Sequence, residues 1–335
     1  MNIVVSLGGS KTVCAARLGV KVAEFLQGQG HQVSLFAPKG KGDVFTSVAV
    51  KEYTNLTTTK KLADMLAKSH TDMLVSVMNL RTCEAAMQAK VPFIYVEYEN
   101  FKEDKPVKTK KALLQKAARV LVLGSDDKPL AKAKYGANAQ RVTEPAVWVE
   151  HYNYDKPTCF KKENNILAVG PLTKESGFDT LLQTWARLAP AHKTWHLTIV
   201  GDGTQKSTLQ KFIAKHNLQD STEIVPAKSD IYSFLRNADI FAYPALNPAH
   251  ADILLDAMAS KLPCVACESA AVTELITNGV NGVIVNAGEE EPFTIALDDL
   301  MVNWGKRVGM AVEASKHKDR YPFAAFMQAV CALLK

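Results

Sequence analysis

Short apolar runs alternate with stretches of helical period along this chain, and the alternation occurs twice with a break between. In the first series the runs are IVVSL (3–7), QVSLFAP (32–38), DMLVSVM (72–78), PFIYVEY (92–98) and VLVLG (120–124), with VFTSVAVKEY (44–53) as a third-strand region. Nearly continuous apolar runs of this length suit parallel strands covered by helices on both faces. Helical period fills the intervals, beginning with a helix from about Thr12 to Leu26 that Gly28 and Gly30 close. Residues 145–163 follow neither period and carry Pro145 and Pro157, which marks a linker. The pattern restarts at Asn164 with NILAVG (165–170), WHLTIVG (195–201), TEIVPA (222–227), DIFAYP (239–244), PCVACE (263–268) and GVIV (282–285), helices between them. Two such series predict an α/β chain of two doubly wound, Rossmann-like domains, 1–150 and 164–335, with the last helix a candidate to pack back on the first. Ligands in doubly wound sheets bind beyond the carboxyl ends of the strands, so the two domains are expected to face each other across a cleft.

Composition narrows the class. A length of 335 residues suits about two domains of ~150 residues each. No apolar run approaches the ~20 residues of a membrane span, and MNIVVSLGGS has neither a basic region nor a cleavage site, so a cytoplasmic protein is expected. Net charge is +6, unevenly placed: Lys102, Lys105, Lys108, Lys110, Lys111, Lys116 and Arg119 stand against Glu103 and Asp104. Such a stretch suits peripheral contact with an anionic membrane or DNA, or is simply a solvated helix face. Cys264 and Cys267 form one CxxC inside PCVACES, which reads as a buried strand; without a second pair or histidines it is not a zinc site.

Several segments carry chemistry. Gly170 lies where a strand turns toward a helix, a place where backbone N–H groups approach phosphate, and Gly201-Asp202-Gly203 forms a second such turn. In the first half Gly8 and Gly9 permit close backbone approach, and Ser10 opens the following helix. The stretches 164–188, 197–213, 221–245 and 252–285 resemble, in order and spacing, the sugar-transferring domain of glycosyltransferase family 4, retaining enzymes of the B fold. VLVLGSDDKPLAKAKYG (120–136) and the strand–GGS–helix start extend a weaker resemblance to the first half.

The resemblance implies a nucleotide-sugar donor held by the domain 164–335, an acceptor side in the domain 1–150, no cofactor and no metal. It assigns nucleobase contacts to the backbone at Val225 and Ala227, and places on Asp256 the carboxylate that accepts the ribose hydroxyls, a task suited to its several lone pairs. Departures are equally marked. The family's diphosphate-gripping Arg and Lys fall at Pro171 and Ser176, and the first of its two spaced glutamates falls at Pro248. Lys174, His250 and Asp252 are the nearby candidates to replace them, while the family's N-terminal-domain His falls at Glu97. The candidate catalytic residues are therefore His250 and Glu97. The donor-binding candidates are Gly8, Gly9, Ser10, Gly170, Lys174, Val225, Ala227, Asp252 and Asp256. The expected reaction is sugar transfer, with retention, to a hydroxyl of a saccharide, lipid-linked or lipopolysaccharide acceptor. The alternatives are a viral enzyme glycosylating hydroxymethylated DNA bases, and a non-catalytic partner of an active transferase.

Overall fold

The computed structural model describes residues 1–7, 13–38, 48–54, 57–97, 108–122, 127–137, 139–141, 164–226, 231–246, 251–316, 323–332 and 334. The chain divides into two compact units, Met1–Val147 with Phe323–Lys335, and Trp148–Pro322.

The first unit holds a seven-stranded sheet of β1 (Asn2–Leu7), β2 (Gln32–Pro38), β3 (Ala49–Tyr53), β4 (Met73–Val77), β5 (Phe93–Glu97), β6 (Arg119–Val122) and β7 (Ala139–Arg141), in the order β3-β2-β1-β4-β5-β6-β7. The second holds β8 (Asn165–Val169), β9 (His196–Val200), β10 (Thr222–Val225), β11 (Ile240–Tyr243), β12 (Cys264–Cys267) and β13 (Val283–Val285), in the order β10-β9-β8-β11-β12-β13. Every pairing in both sheets is parallel. Each unit thus has the doubly wound order that reverses beside its first strand, and the expected α/β class is borne out. The reversal lies between β1 and β4 in one unit and between β8 and β11 in the other, the switch points at which such sheets bind ligands.

The helices follow from amphipathic sequence. Helix α1 (Val13–Gly28) starts and ends within two residues of the expected bounds. Helix α6 (Phe178–Leu188) buries Phe178, Leu181, Leu182, Trp185 and Leu188 on the second sheet, and Trp185 donates Nε1–H to Ser221 (3.2 Å). Buried Arg307 on α12 (Trp304–Ser315) donates to the carbonyls of Leu300 and Met301, both at 2.7 Å, so a cation meets the carboxyl end of α11 (Glu290–Val302). Strand β12 is buried throughout, Cys264 and Cys267 included, and burial pushes both thiols up. The CxxC is therefore a packed strand, as the sequence indicates. No described helix is long and apolar enough to cross a membrane.

Candidate functional site

At the carboxyl edge of the second sheet, the loops after β8, β9 and β11 are laced together by backbone contacts. Gly170 donates its N–H to Val200 (3.1 Å), Leu172 donates to Asp202 (2.9 Å), and Gln205 donates back to Leu172 (2.9 Å). Leu246, past the end of β11, donates to Glu175 (2.9 Å). Three glycines make the lacing possible, and a Cβ on one of them, Gly203, would lie 2.4 Å from the Leu172 carbonyl oxygen. A Cβ on Gly201 would lie 2.1 Å from the Gly170 carbonyl oxygen, and one on Gly177 would lie 2.0 Å from that of Pro244. Gly177 also has φ +67°, a region that strains any other L-residue. The result is a cradle at the β8/β11 switch point, built from main chain.

Gly170, expected to open a turn whose backbone N–H groups approach phosphate, starts this cradle. Its N–H is bonded to Val200 within the sheet, and a Cβ there would meet only Phe178 at an ordinary 3.5 Å. The close-approach glycines of the cradle are Gly177, Gly201 and Gly203, each meeting backbone from another loop. Ser176, read from sequence as a lost lysine, is buried; its hydroxyl donates to the Pro171 carbonyl and meets Thr173 Oγ1 at 3.2 Å. Serine closes the loop where a cation is expected in the family. Lys174 lies on the same loop, in a 3₁₀ turn over Lys174–Ser176, with its side chain exposed.

Helix α9 (Asp252–Ala259) follows β11, and every described side chain on it is buried, Asp256 at 5% exposure. A solvent-facing Asp256 is thereby excluded. A buried carboxylate among the apolar side chains of 253–259 is unusual and calls for polar company. Asp252 is the first residue of this helix. Val225 ends the edge strand β10, half-buried, and its carbonyl accepts from Gly201 N–H (2.9 Å). Gly8, Gly9, Ser10, Ala227, Pro248 and His250, and the side chain of Asp252, lie outside the described residues.

In the first unit Glu97 ends β5 and is 1% exposed. Lys110, on α4 (Lys108–Lys116), meets its Oε2 at 2.8 Å and lies over the Tyr135 ring at 5.6 Å; Tyr95 donates its hydroxyl to the same carboxylate at 3.4 Å. This corrects the reading of 102–119 as one basic face: Lys110 turns inward, whereas Lys108, Lys111 and Lys116 are exposed. Lys102 and Lys105 lie outside the described residues.

The β1/β4 switch point carries a buried polar network that sequence reasoning missed. Asn79 caps α3 (Leu80–Ala89), accepting from Thr82 N–H, and donates to the Leu7 carbonyl (2.9 Å) and to the Tyr53 hydroxyl (2.6 Å). Tyr53 donates in turn to Leu7 (3.0 Å). Burial pushes the Tyr53 phenol up, against the opposing pull of the Asn79 hydrogen bond and the Arg81 charge. The signal was present as Asn79-x-x-Thr82 after an apolar run, a helix-start pattern.

Residues 153–317 match the family described as Glycosyl transferases group 1. The chain is 26% identical over 323 residues to an uncharacterized glycosyltransferase of Haemophilus influenzae, covering 89% of this chain and 88% of that one. It is 31% identical over 163 residues to the amylovoran biosynthesis glycosyltransferase AmsD of Erwinia amylovora, covering 48% of this chain and 45% of that protein. In fold it is similar to Anabaena Alr3699/HepE solved with UDP and glucose, with TM-score 0.80 at 16% identity over 100% of this chain and 99% of that one. It is also similar to sucrose-phosphate synthase of Thermosynechococcus elongatus, with TM-score 0.72 at 13% identity over 100% and 98%.

Proposed function

We propose that this chain is a glycosyltransferase of the B fold that moves a sugar, with retention, from a nucleotide-sugar to a saccharide hydroxyl of a lipopolysaccharide or exopolysaccharide type. The observation that carries the reading is the main-chain cradle at the β8/β11 switch point, followed by a helix that buries one carboxylate, Asp256. In this reading Asp256 accepts the ribose hydroxyls, its acceptor-only oxygens matching a vicinal diol. Lys174, exposed on the cradle loop, supplies positive charge toward the diphosphate. A leaving diphosphate gains charge as the glycosidic bond breaks, so a cation there stabilises the transition state. The readings of His250 and Asp252 as sugar-side groups, and of Gly8, Gly9 and Ser10 as phosphate contacts, belong to the same proposal. Relatives named for amylovoran and for lipopolysaccharide core synthesis support the acceptor class.

The test is calorimetry with UDP first, then other nucleotides, on the parent and on Asp256→Asn, which keeps the volume and removes the charge. Loss of a hydrogen bond to a charged group is worth about 1.5–3 kcal/mol, so the variant is expected to bind nucleotide at least tenfold more weakly at unchanged melting temperature. Equal affinity in a folded variant removes Asp256 from the site. Absence of transfer from every nucleotide-sugar tried returns the non-catalytic reading.

A further inference from the structure

We propose that Arg81 is an acceptor-recognition residue, a guanidinium held ready for an oxyanion, phosphate or carboxylate, on the acceptor sugar. The proposal rests on the reading that the first unit takes the acceptor.

Arg81 is the second residue of α3, which begins just past the carboxyl end of β4, beside the β1/β4 switch point. That edge is where a doubly wound sheet receives its ligand. The guanidinium is half-buried and lies 6.0 Å from the Tyr53 ring centre, and one of its nitrogens donates to the Thr57 carbonyl. The platform beneath it is rigid. Tyr53 is itself buried and its hydroxyl is fixed by Leu7 and Asn79, while Asn79 is fixed by the helix it caps. The cation therefore hydrogen-bonds the Thr57 carbonyl beside a ring that the buried network fixes.

Nothing among the described residues neutralises it. No Asp or Glu lies within ion-pair distance, and of the five donors on a guanidinium only the one to Thr57 is engaged. The charge also sits in the first turn of α3, where the helix already presents partial positive charge, so the two potentials add. A neutral sugar hydroxyl leaves that charge uncompensated. A phosphate or carboxylate matches the planar fork with two parallel hydrogen bonds. A purely structural clasp, Arg81 tying the turn after β3 to α3, predicts a stability effect with no selectivity among acceptors.

Affinities of the full chain for a neutral hexose, the hexose 6-phosphate and the corresponding hexuronate separate the two, measured with and without saturating UDP. At least one anionic sugar is expected to bind tenfold or more tighter than the neutral one. Preference for the phosphate alone assigns a phosphorylated acceptor, preference for the hexuronate alone an acidic sugar, and preference for both a general oxyanion site. Arg81→Gln is expected to reduce the preference to under twofold with UDP affinity unchanged, and Arg81→Lys, which keeps charge without the fork, to fall between. Equal binding of all three sugars by the parent overturns the proposal, as does a preference that survives in Arg81→Gln. Should Arg81→Gln not fold, the parent ranking and Arg81→Lys decide alone. Failure of UDP to bind strikes the donor reading, while the sugar ranking without UDP still reports on Arg81.

Discussion

Lys110 carries its charge into the interior of the first unit, where Glu97 meets it at 2.8 Å with side-chain exposures of 12% and 1%. Removing one member of a buried pair leaves the other uncompensated, at a cost of about 3–5 kcal/mol. Lys110→Ala is therefore expected to lose about that much in urea unfolding, whereas Lys111→Ala next door, on the exposed side, changes stability by less than about 0.5 kcal/mol. Similar small effects for both would show the pair to be solvent-screened. The outcome departs from the reading of Lys110 as one more cation on an exposed basic stretch. The signal was there to read. Lys110 stands at i with Leu113, Leu114 and Ala117 at i+3, i+4 and i+7, all buried, so it lies on the helix's inward stripe. The general rarity of buried lysine outweighed that periodicity.

The elements themselves were legible because burial on both faces leaves continuous apolar runs, and β1, β4, β5, β8, β9, β11 and β12 all coincide with such runs. What the runs do not carry is how loops from distant strands meet. Gly177 is a case in point: its left-handed φ belongs to a short local turn, but the arrival of Pro244 from the end of β11, which also excludes a side chain there, is not local. The same holds for Ser176, whose partner is the Pro171 carbonyl of its own loop and whose burial no periodicity announces. Gly177→Ala combines a left-handed φ, costing about 1–2 kcal/mol, with a Cβ 2.0 Å from a carbonyl oxygen. It is expected to lower the melting temperature of the second unit by more than about 5 °C, at roughly 2–4 °C per kcal/mol for a unit of this size. Gly170→Ala, which meets only Phe178 at 3.5 Å, is the control and is expected to stay within about 3 °C. Equal melting of both variants would mean that the cradle loop shifts freely and is not held by its main-chain contacts.

The two units repeat one device at their amino edges. In the first, Asn2 N–H donates to the Asp72 carboxylate (2.7 Å) and Asp72 N–H returns to the Asn2 carbonyl (2.8 Å). In the second, Asn165 and Asp239 make the same exchange at 3.1 and 2.8 Å. Each clamp pins the first strand to the fourth, the pair that flanks the switch point, so each unit fixes its own binding edge from the opposite end. The C-terminal helix α13 (Phe323–Ala332) breaks this tidy division, because it follows the second unit in sequence yet groups with the first. Phe326, Met327 and Val330 on it are buried, at about 1.5–3 kcal/mol for each such side chain. Deleting residues 323–335 is therefore expected to loosen the first unit and to spare the second, although the cut lies beside the second in the chain. Amide hydrogen exchange distinguishes the cases. Faster exchange in β1 and β4 with unchanged protection in β8 and β11 is the expected result. Loss of protection in β8 and β11 instead would place the helix's stabilising contacts in the second unit.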